Sequence, residues 1–374
     1  MRKKLIIVIT LMGLLHLYIL YQLLNEFNAI IYVVGALLAV FSWIIIPLGL
    51  SARFLIKKPL VADAVTWVGM LDMGLFSSLL ILTFIRQIII FMYNFFNPIT
   101  TDISQISALI VLALAFIVTI IGFRNARGLP KVQEVLIPIT NLPSGLDGFT
   151  IAQISDIHVG PTIKYKYLKS IVDVVNTLSP DMVAITGDLV DGSVTNLSKH
   201  TVALTNLKSK YGSFFVLGNH EYYSGANEWI EEIKSLGIDV LLNEHRIILH
   251  NGENLIIAGI TDYSGEHFGV EHTSDAEKAI IGAPLEVIKV LLAHQPRSAI
   301  IATKHGYSLQ LSGHTHGGQF WPWNLFVRFQ QPFTSGLHKL EDMWVYINRG
   351  TGYWGPPKRF GVASEITLIK LFRS

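Results

Sequence analysis

Hydrophobic positions fall along this chain in two textures. Up to Pro130 they form near-continuous runs over 5–24, 30–50, 64–93 (extending to Phe96) and 106–123. Each approaches or exceeds the roughly 20 residues needed to cross a hydrocarbon core, so four transmembrane helices are predicted. From Gly128 onward, short apolar runs alternate with helix-length polar segments, the texture of an α/β or α+β domain. The predicted organisation is therefore a helical membrane domain over 1–128 and a second domain over 129–374.

In the second texture, strands are predicted over 149–154, 182–186, 213–217, 240–242, 246–249, 255–260, 287–293 and 309–312. Helical spacing appears over 166–178, 197–210 and 229–236. Five of the strands stop at residues able to bind metal: Asp156 and His158, then Asp188, then Asn219 and His220, then His294, then His314 and His316. Loops at strand ends gather on one edge of a sheet, so side chains placed there can converge. The last motif, Gly313-His314-Thr315-His316-Gly317-Gly318-Gln319, follows an apolar strand, and its two histidines, at i and i+2, leave on one side. Any one of these residues is unremarkable alone; the succession is not.

Composition and charge sharpen the division. The chain of 374 residues is 51% hydrophobic, with mean hydropathy +0.46. Its net charge of +2 is uneven: nine basic and four acidic residues up to Pro130 give +5, and 20 basic against 23 acidic residues give −3 in the remainder. A second domain without a broad basic face is not expected to hold nucleic acid as a stable partner. With no cysteine, the chain has no disulfide, zinc finger or thiol nucleophile.

The basic start Met1-Arg2-Lys3-Lys4 could open a signal peptide, but 21–26 offers no small-x-small cleavage site, so an uncleaved anchor is expected. Positive charge at Arg2, Lys3 and Lys4, at Arg53, Lys57 and Lys58, and at Arg124, Arg127 and Lys131 alternates with uncharged or acidic loops. The positive-inside rule then places both chain ends, and the second domain, on the cytoplasmic side of a multi-pass cell-membrane protein. The third span carries Asp72 and Arg86, read either as snorkelling ends or as a polar contact within the bundle.

The motifs Asp156-Ile157-His158, Gly187-Asp188, Gly218-Asn219-His220-Glu221, a separate His294 and Gly313-His314-Thr315-His316 occur in an order that resembles the calcineurin-like metallophosphoesterases. Segments 221–225, 317–319, 350–357 and 365–367 extend the likeness to that family's membrane-anchored bacterial branch. The resemblance implies an α+β fold, a four-layer αββα sandwich, here preceded by the all-α membrane domain. It also implies two divalent metal ions, with Asp156, His158 and His316 on one, Asn219, His294 and His314 on the other, and Asp188 bridging them. Carboxylate, imidazole and amide without thiolate suit Mn, Fe, Zn or Co.

Two such ions can generate a bridging hydroxide near neutral pH and clamp a phosphoryl group. By the same resemblance, His220 protonates or stabilises the leaving oxygen and Asp191 orients that histidine, although Asp191 before Gly192 also reads as a turn residue. Protein phosphatases of the superfamily carry arginine where Gly192 stands, so a protein substrate is not expected; Arg349 and Arg359 are candidate phosphate grips or structural arginines. Aromatic residues Phe320, Trp321, Trp323, Phe326, Phe329, Phe333, Tyr353 and Trp354 read as the cover of the sandwich or as a wall at the lipid interface. His245, His250, His267, His272, His305 and His338 read as surface or loop residues.

The expected function is hydrolysis of a phosphodiester, phosphomonoester or pyrophosphate, including one on a lipid-linked substrate, with membrane lipid as a further partner. The alternative is a non-enzymatic membrane protein with a structural or sensing metal site. Transport through the helices has only Asp72 and Arg86 in its favour.

Overall fold

The computed structural model describes residues 2–374, which divide into two compact units. The first contains the helices α1 (Arg2–Leu24), α2 (Ala29–Leu55), α3 (Pro59–Asn94) and α4 (Thr101–Arg127), together with residues Gly355–Phe360. All four helices are long and apolar enough to cross a membrane. Asn28 caps α2 by accepting a hydrogen bond from the Ile31 N–H at 3.0 Å. Pro59 opens α3 at a position where its missing N–H costs nothing, so the helix begins before the apolar run does. At about 54 Å, α3 is longer than a hydrocarbon core is thick.

Helices α2 and α3 meet at Gly49 and Gly69. A Cβ on Gly69 would lie 2.6 Å from the Ile45 carbonyl and 2.9 Å from the Gly49 Cα, so only glycine permits this approach. Arg86 is buried inside the bundle rather than snorkelling. It donates to Ser107 Oγ, the Gln22 carbonyl and the Ser104 carbonyl, each at 2.9 Å. Within the same unit, Lys358 donates to the Gly74 carbonyl at 2.8 Å and to Ser78, and the Arg359 N–H donates to the Gly122 carbonyl at 2.8 Å.

The second unit covers 128–354 and 361–374 and holds two six-stranded sheets. Its elements run β1 (Lys131–Ile139), β2 (Thr150–Ile154), α5 (Tyr165–Thr177), β3 (Met182–Ile185), α6 (Val194–Thr201), β4 (Ser213–Phe215), α7 (Asn219–Ser224), α8 (Ala226–Ser235) and β5 (Asp239–Val240). There follow β6 (Glu244–His250), β7 (Glu253–Gly259), β8 (Ile288–Leu292), α9 (Ala299–Ala302), β9 (Leu309–Ser312), β10 (Gly336–Leu340), β11 (Met343–Ile347) and β12 (Glu365–Arg373). The sheet orders are β1-β12-β2-β3-β4-β5 and β10-β11-β9-β8-β7-β6.

Alternation along the strands explains the layers. Ile151, Ala184 and Phe214 of the first sheet and Ile257, Leu292 and Leu311 of the second belong to one core, while neighbouring residues such as Ile256, Leu291 and Ala293 belong to another with Ala299 and Tyr307. Helix α5 buries Leu168, Ile171, Val172 and Val175, one apolar stripe, in the crossover between parallel strands β2 and β3. The α+β sandwich read from the sequence is thus the fold.

The helix expected over 197–210 is shorter. It ends at Thr201 and continues as a 3₁₀ turn to Asn206, because Thr201 and Thr205 turn their hydroxyls back on the carbonyls of Ser198 and Val202 at 2.9 and 2.8 Å. His250 and His272 are buried rather than superficial: His250 pairs with Tyr211 at 3.1 Å, and His272 packs edge-on against Tyr222.

Candidate metal centre

Parallel strands β2, β3, β8 and β9 all end on one edge, and their following loops carry the polar residues inward. Asp156, His158, Asp188, His314 and His316 all adopt positive φ, between 51° and 71°. Such backbone is uncommon outside glycine and costs of order 1–3 kcal/mol per residue. Five instances in one cluster mean that packing holds these side chains in place against local preference. Gly313 makes room: a Cβ there would lie 2.2 Å from Asp156 Oδ2.

The side chains form two clusters. In the first, His158 Nε2 lies 3.1 Å from His316 Nε2, which lies 3.5 Å from Asp156 Oδ1. In the second, His294 Nε2 lies 3.2 Å from His314 Nδ1 and 3.1 Å from Asp188 Oδ2. That same oxygen of Asp188 is 3.9 Å from His158 Nε2, so Asp188 faces both clusters. Imidazole nitrogens facing one another at about 3 Å have the separation of neighbouring ligands on one ion with bonds of about 2.1 Å. Asn219 Oδ1 is buried and has no hydrogen-bond partner among the described residues, as an amide oxygen kept for a cation would be. The donor set therefore fits two hard or borderline divalent ions.

A third grouping joins His158, Asp191 and His220. Asp191 Oδ1 lies 2.5 Å from His220 Nδ1, and its Oδ2 lies 3.3 Å from His158 Nδ1. Burial alone would lower the His220 pKa, but the charge of Asp188 and the hydrogen bond that His220 donates to Asp191 raise it to about 9. Burial works the other way on Asp191, yet His158 and His220 hold its carboxyl well below the usual range. His220 is only partly buried, and the exposed rings of Tyr223 and Trp354 stand 5.4 and 5.6 Å from it.

Two buried carboxylates support the site without having been assigned a role from the sequence. Glu221 accepts from the N–H groups of Gly218 (2.7 Å), Asp188 (2.9 Å), Leu189 (2.8 Å) and Val190 (3.1 Å), and so ties the turn after β3 to the turn after β4. Burial and repulsion from Asp188 push its pKa up to about 8, against the pull of those N–H groups. Asp262 accepts from Ser264 N–H at 2.8 Å and from Gln295 Nε2 at 3.1 Å, while its Oδ2 is buried without a partner. The glutamate's place directly after Asn219-His220 was the only sequence signal, and Asp262 gave none.

Arg349 pairs with Glu365 at 3.6 Å, and Arg359 is fully buried in the first unit. Gln319 instead fixes Trp354, donating to its carbonyl and accepting its N–H, both at 2.9 Å.

Residues 149–318 match the family description of calcineurin-like phosphoesterases. Over 374 residues the chain is 33% identical to an uncharacterized metallophosphoesterase of Campylobacter jejuni, covering 98% of this chain and 97% of that one. It is 39% identical over 270 residues to a Danio rerio protein named "Transmembrane protein with metallophosphoesterase domain", covering 70% of this chain and 62% of the relative, hence less than two thirds of that longer protein. Among solved structures, a 5'-nucleotidase precursor from Thermus thermophilus is similar at 14% identity and a TM-score of 0.39, over 60% of this chain and 54% of that one. With its membrane-length helices, its two convergent ligand clusters and a relative matched from end to end, the chain belongs to the calcineurin-like metallophosphoesterase family.

Proposed function

We propose that this protein is a phosphohydrolase with a dinuclear metal centre, anchored by residues 1–128 and acting through residues 129–374 on a phosphodiester, phosphomonoester or pyrophosphate. The observation that carries the reading is the His220–Asp191 pair set beside two ligand clusters that share Asp188. Asp156, His158 and His316 would hold one ion, Asn219, His294 and His314 the other, and Asp188 both; Mn, Fe, Zn and Co suit these donors. When bound, the ions supply Lewis acidity toward phosphoryl oxygens and lower the pKa of water.

The remaining chemistry belongs to the chain. His220 is a cation at neutral pH because its pKa is raised to about 9. Its Nδ1–H is engaged by Asp191, so its Nε2–H is the proton available to a leaving oxygen. Asp191 holds the ring's orientation, and Glu221 holds the turns that carry Asp188 and His220. Tyr223 and Trp354 give the acid two aromatic walls against which a substrate group can rest.

A lipid-linked substrate is favoured by Trp321, Trp323, Phe326 and Phe329, which follow the last metal motif and expose between 39% and 75% of their surface. Exposed aromatic side chains of this kind suit a lipid boundary. The loop charges favour the cytoplasmic side for the second unit, and a C-terminal reporter active only outside the cell would reverse that assignment.

The test is hydrolysis of a generic aryl phosphodiester by the Mn²⁺-loaded full-length protein. Activity should be present and should be lost in Asp188→Asn. A protein that binds metal yet leaves a broad panel of phosphate esters intact would instead have a structural or sensing metal site.

A further inference from the structure

We propose that the helical unit contains a binding site for a neutral lipid alcohol, built where the hydrogen-bonded chain His16–Ser42–Asp72 meets an apolar cavity. The cavity has a volume of about 330 Å³ and is lined by these three residues and otherwise by carbon-rich side chains such as Leu38, Leu75, Leu79 and Leu112. His16 comes from α1, Ser42 from α2 and Asp72 from α3, each near the middle of its helix and so beyond the reach of either membrane surface.

Hydrogen-bond accounting fixes what such a ligand must offer. His16 Nδ1 lies 2.7 Å from the Met12 carbonyl, which only accepts, so Nδ1 carries a proton. His16 Nε2 lies 2.9 Å from Ser42 Oγ, and Ser42 Oγ lies 2.5 Å from Asp72 Oδ2. The serine has one proton for these two neighbours. If it points to Asp72, His16 must donate from Nε2 and is a cation facing a carboxylate through Ser42. If it points to His16, Asp72 supplies its own proton to Ser42. Both arrangements are neutral overall, and both leave Asp72 Oδ1 purely an acceptor.

No donor among the described residues reaches Oδ1, and the residue is only partly buried because it lines the cavity. Stacking on Phe76, with ring centroids 4.3 Å apart, holds the His16 ring in place. What Oδ1 can take from a ligand in the cavity is therefore a hydrogen-bond donor. A metal cation needs several oxygens, and the remaining walls are carbon. An ammonium would bring a net charge into an apolar interior beside a neutral chain, which is costly. A hydroxyl on a long apolar chain satisfies Oδ1 and fills the rest of the space without either difficulty.

The experiment uses purified full-length protein in detergent, a diazirine-bearing long-chain alcohol and its methyl ether, which has the same chain but no donor. The alcohol should label residues around Leu75 and Leu79 about tenfold more than the ether, the effect of one hydrogen bond in an apolar site. Asp72→Leu should abolish the preference, and Asp72→Asn, which keeps an acceptor oxygen, should retain it. Equal labelling by the two probes on the native chain would overturn the proposal, and that comparison stands whether or not a variant folds. Labelling spread over the outward-facing Leu37 and Ile44 would overturn it in favour of ordinary lipid contact. Stronger protection by a long-chain amine than by the alcohol would overturn it in favour of a cation site.

Discussion

His220 Nδ1 lies 2.5 Å from Asp191 Oδ1, and the other oxygen of that carboxylate faces His158 at 3.3 Å. One acid thus serves the proposed proton donor and a proposed metal ligand together. Asp191→Asn should lower kcat by roughly ten- to a hundredfold near neutral pH, at or below the lower end of the usual span of about 10²–10⁴-fold for general acids because His220 itself remains, with a smaller effect on KM. It should also move the alkaline limb of the kcat profile to lower pH, because a carboxylate that favours the imidazolium has gone. An unshifted limb would mean that Asp191 does not act through His220.

The unaltered protein should lose kcat as pH rises through the His220 pKa, which the Asp191 carboxylate holds above the ordinary imidazole value, since the proton is present below that pKa and absent above it. Leaving groups give a second reading of the same role. His220→Gln should cost about 10²–10⁴-fold with an alkyl phosphoester, whose poor leaving oxygen needs the proton. The loss should be much smaller with a nitrophenyl ester. Equal losses on both substrates would assign His220 to positioning instead.

Glu221→Gln keeps the shape but replaces one of the two oxygens that accept from four backbone N–H groups with an NH2 that can only donate. Thermal unfolding of the full-length protein should shift to lower temperature, consistent with a loss of about 1–3 kcal/mol for weakened buried hydrogen bonds. Metal content should fall with it, because those N–H groups belong to the turns that carry Asp188 and Asn219.

In the helical unit, Gly69→Val should destabilise the full-length protein by about 1–3 kcal/mol, the usual range for overpacking. The new side chain would meet the Ile45 carbonyl and the Gly49 backbone, neither of which can yield like a flexible side chain. Thermal unfolding in detergent checks this, with Gly69→Ala as the milder comparison.

The convergence of the candidate ligands was legible because they sit at the ends of alternating apolar strands, where the sequence itself marks the edge of a sheet. His314 and His316 looked like a pair; in the fold His316 joins Asp156 and His158, and His314 joins His294 and Asp188. That separation was implied by family resemblance and not by spacing, since both residues lie in the left-handed region, where strand alternation no longer holds. Glu221 was hidden because four hydrogen bonds to backbone leave no trace in side-chain chemistry. The His16–Ser42–Asp72 chain was hidden for another reason: its members are 26 and 30 residues apart, on three helices, and only helix packing joins them. The end of the helix at Thr201 depended on hydroxyls competing for backbone carbonyls, which apolar periodicity does not register.

The central claim is that two ions share Asp188, and metal analysis combined with electron paramagnetic resonance on the Mn²⁺-loaded full-length protein tests it most directly. The account expects two ions per chain with an exchange-coupled spectrum, and loss of the coupling in Asp188→Asn. A single ion per chain, or two ions with the spectrum of isolated Mn²⁺, would contradict it.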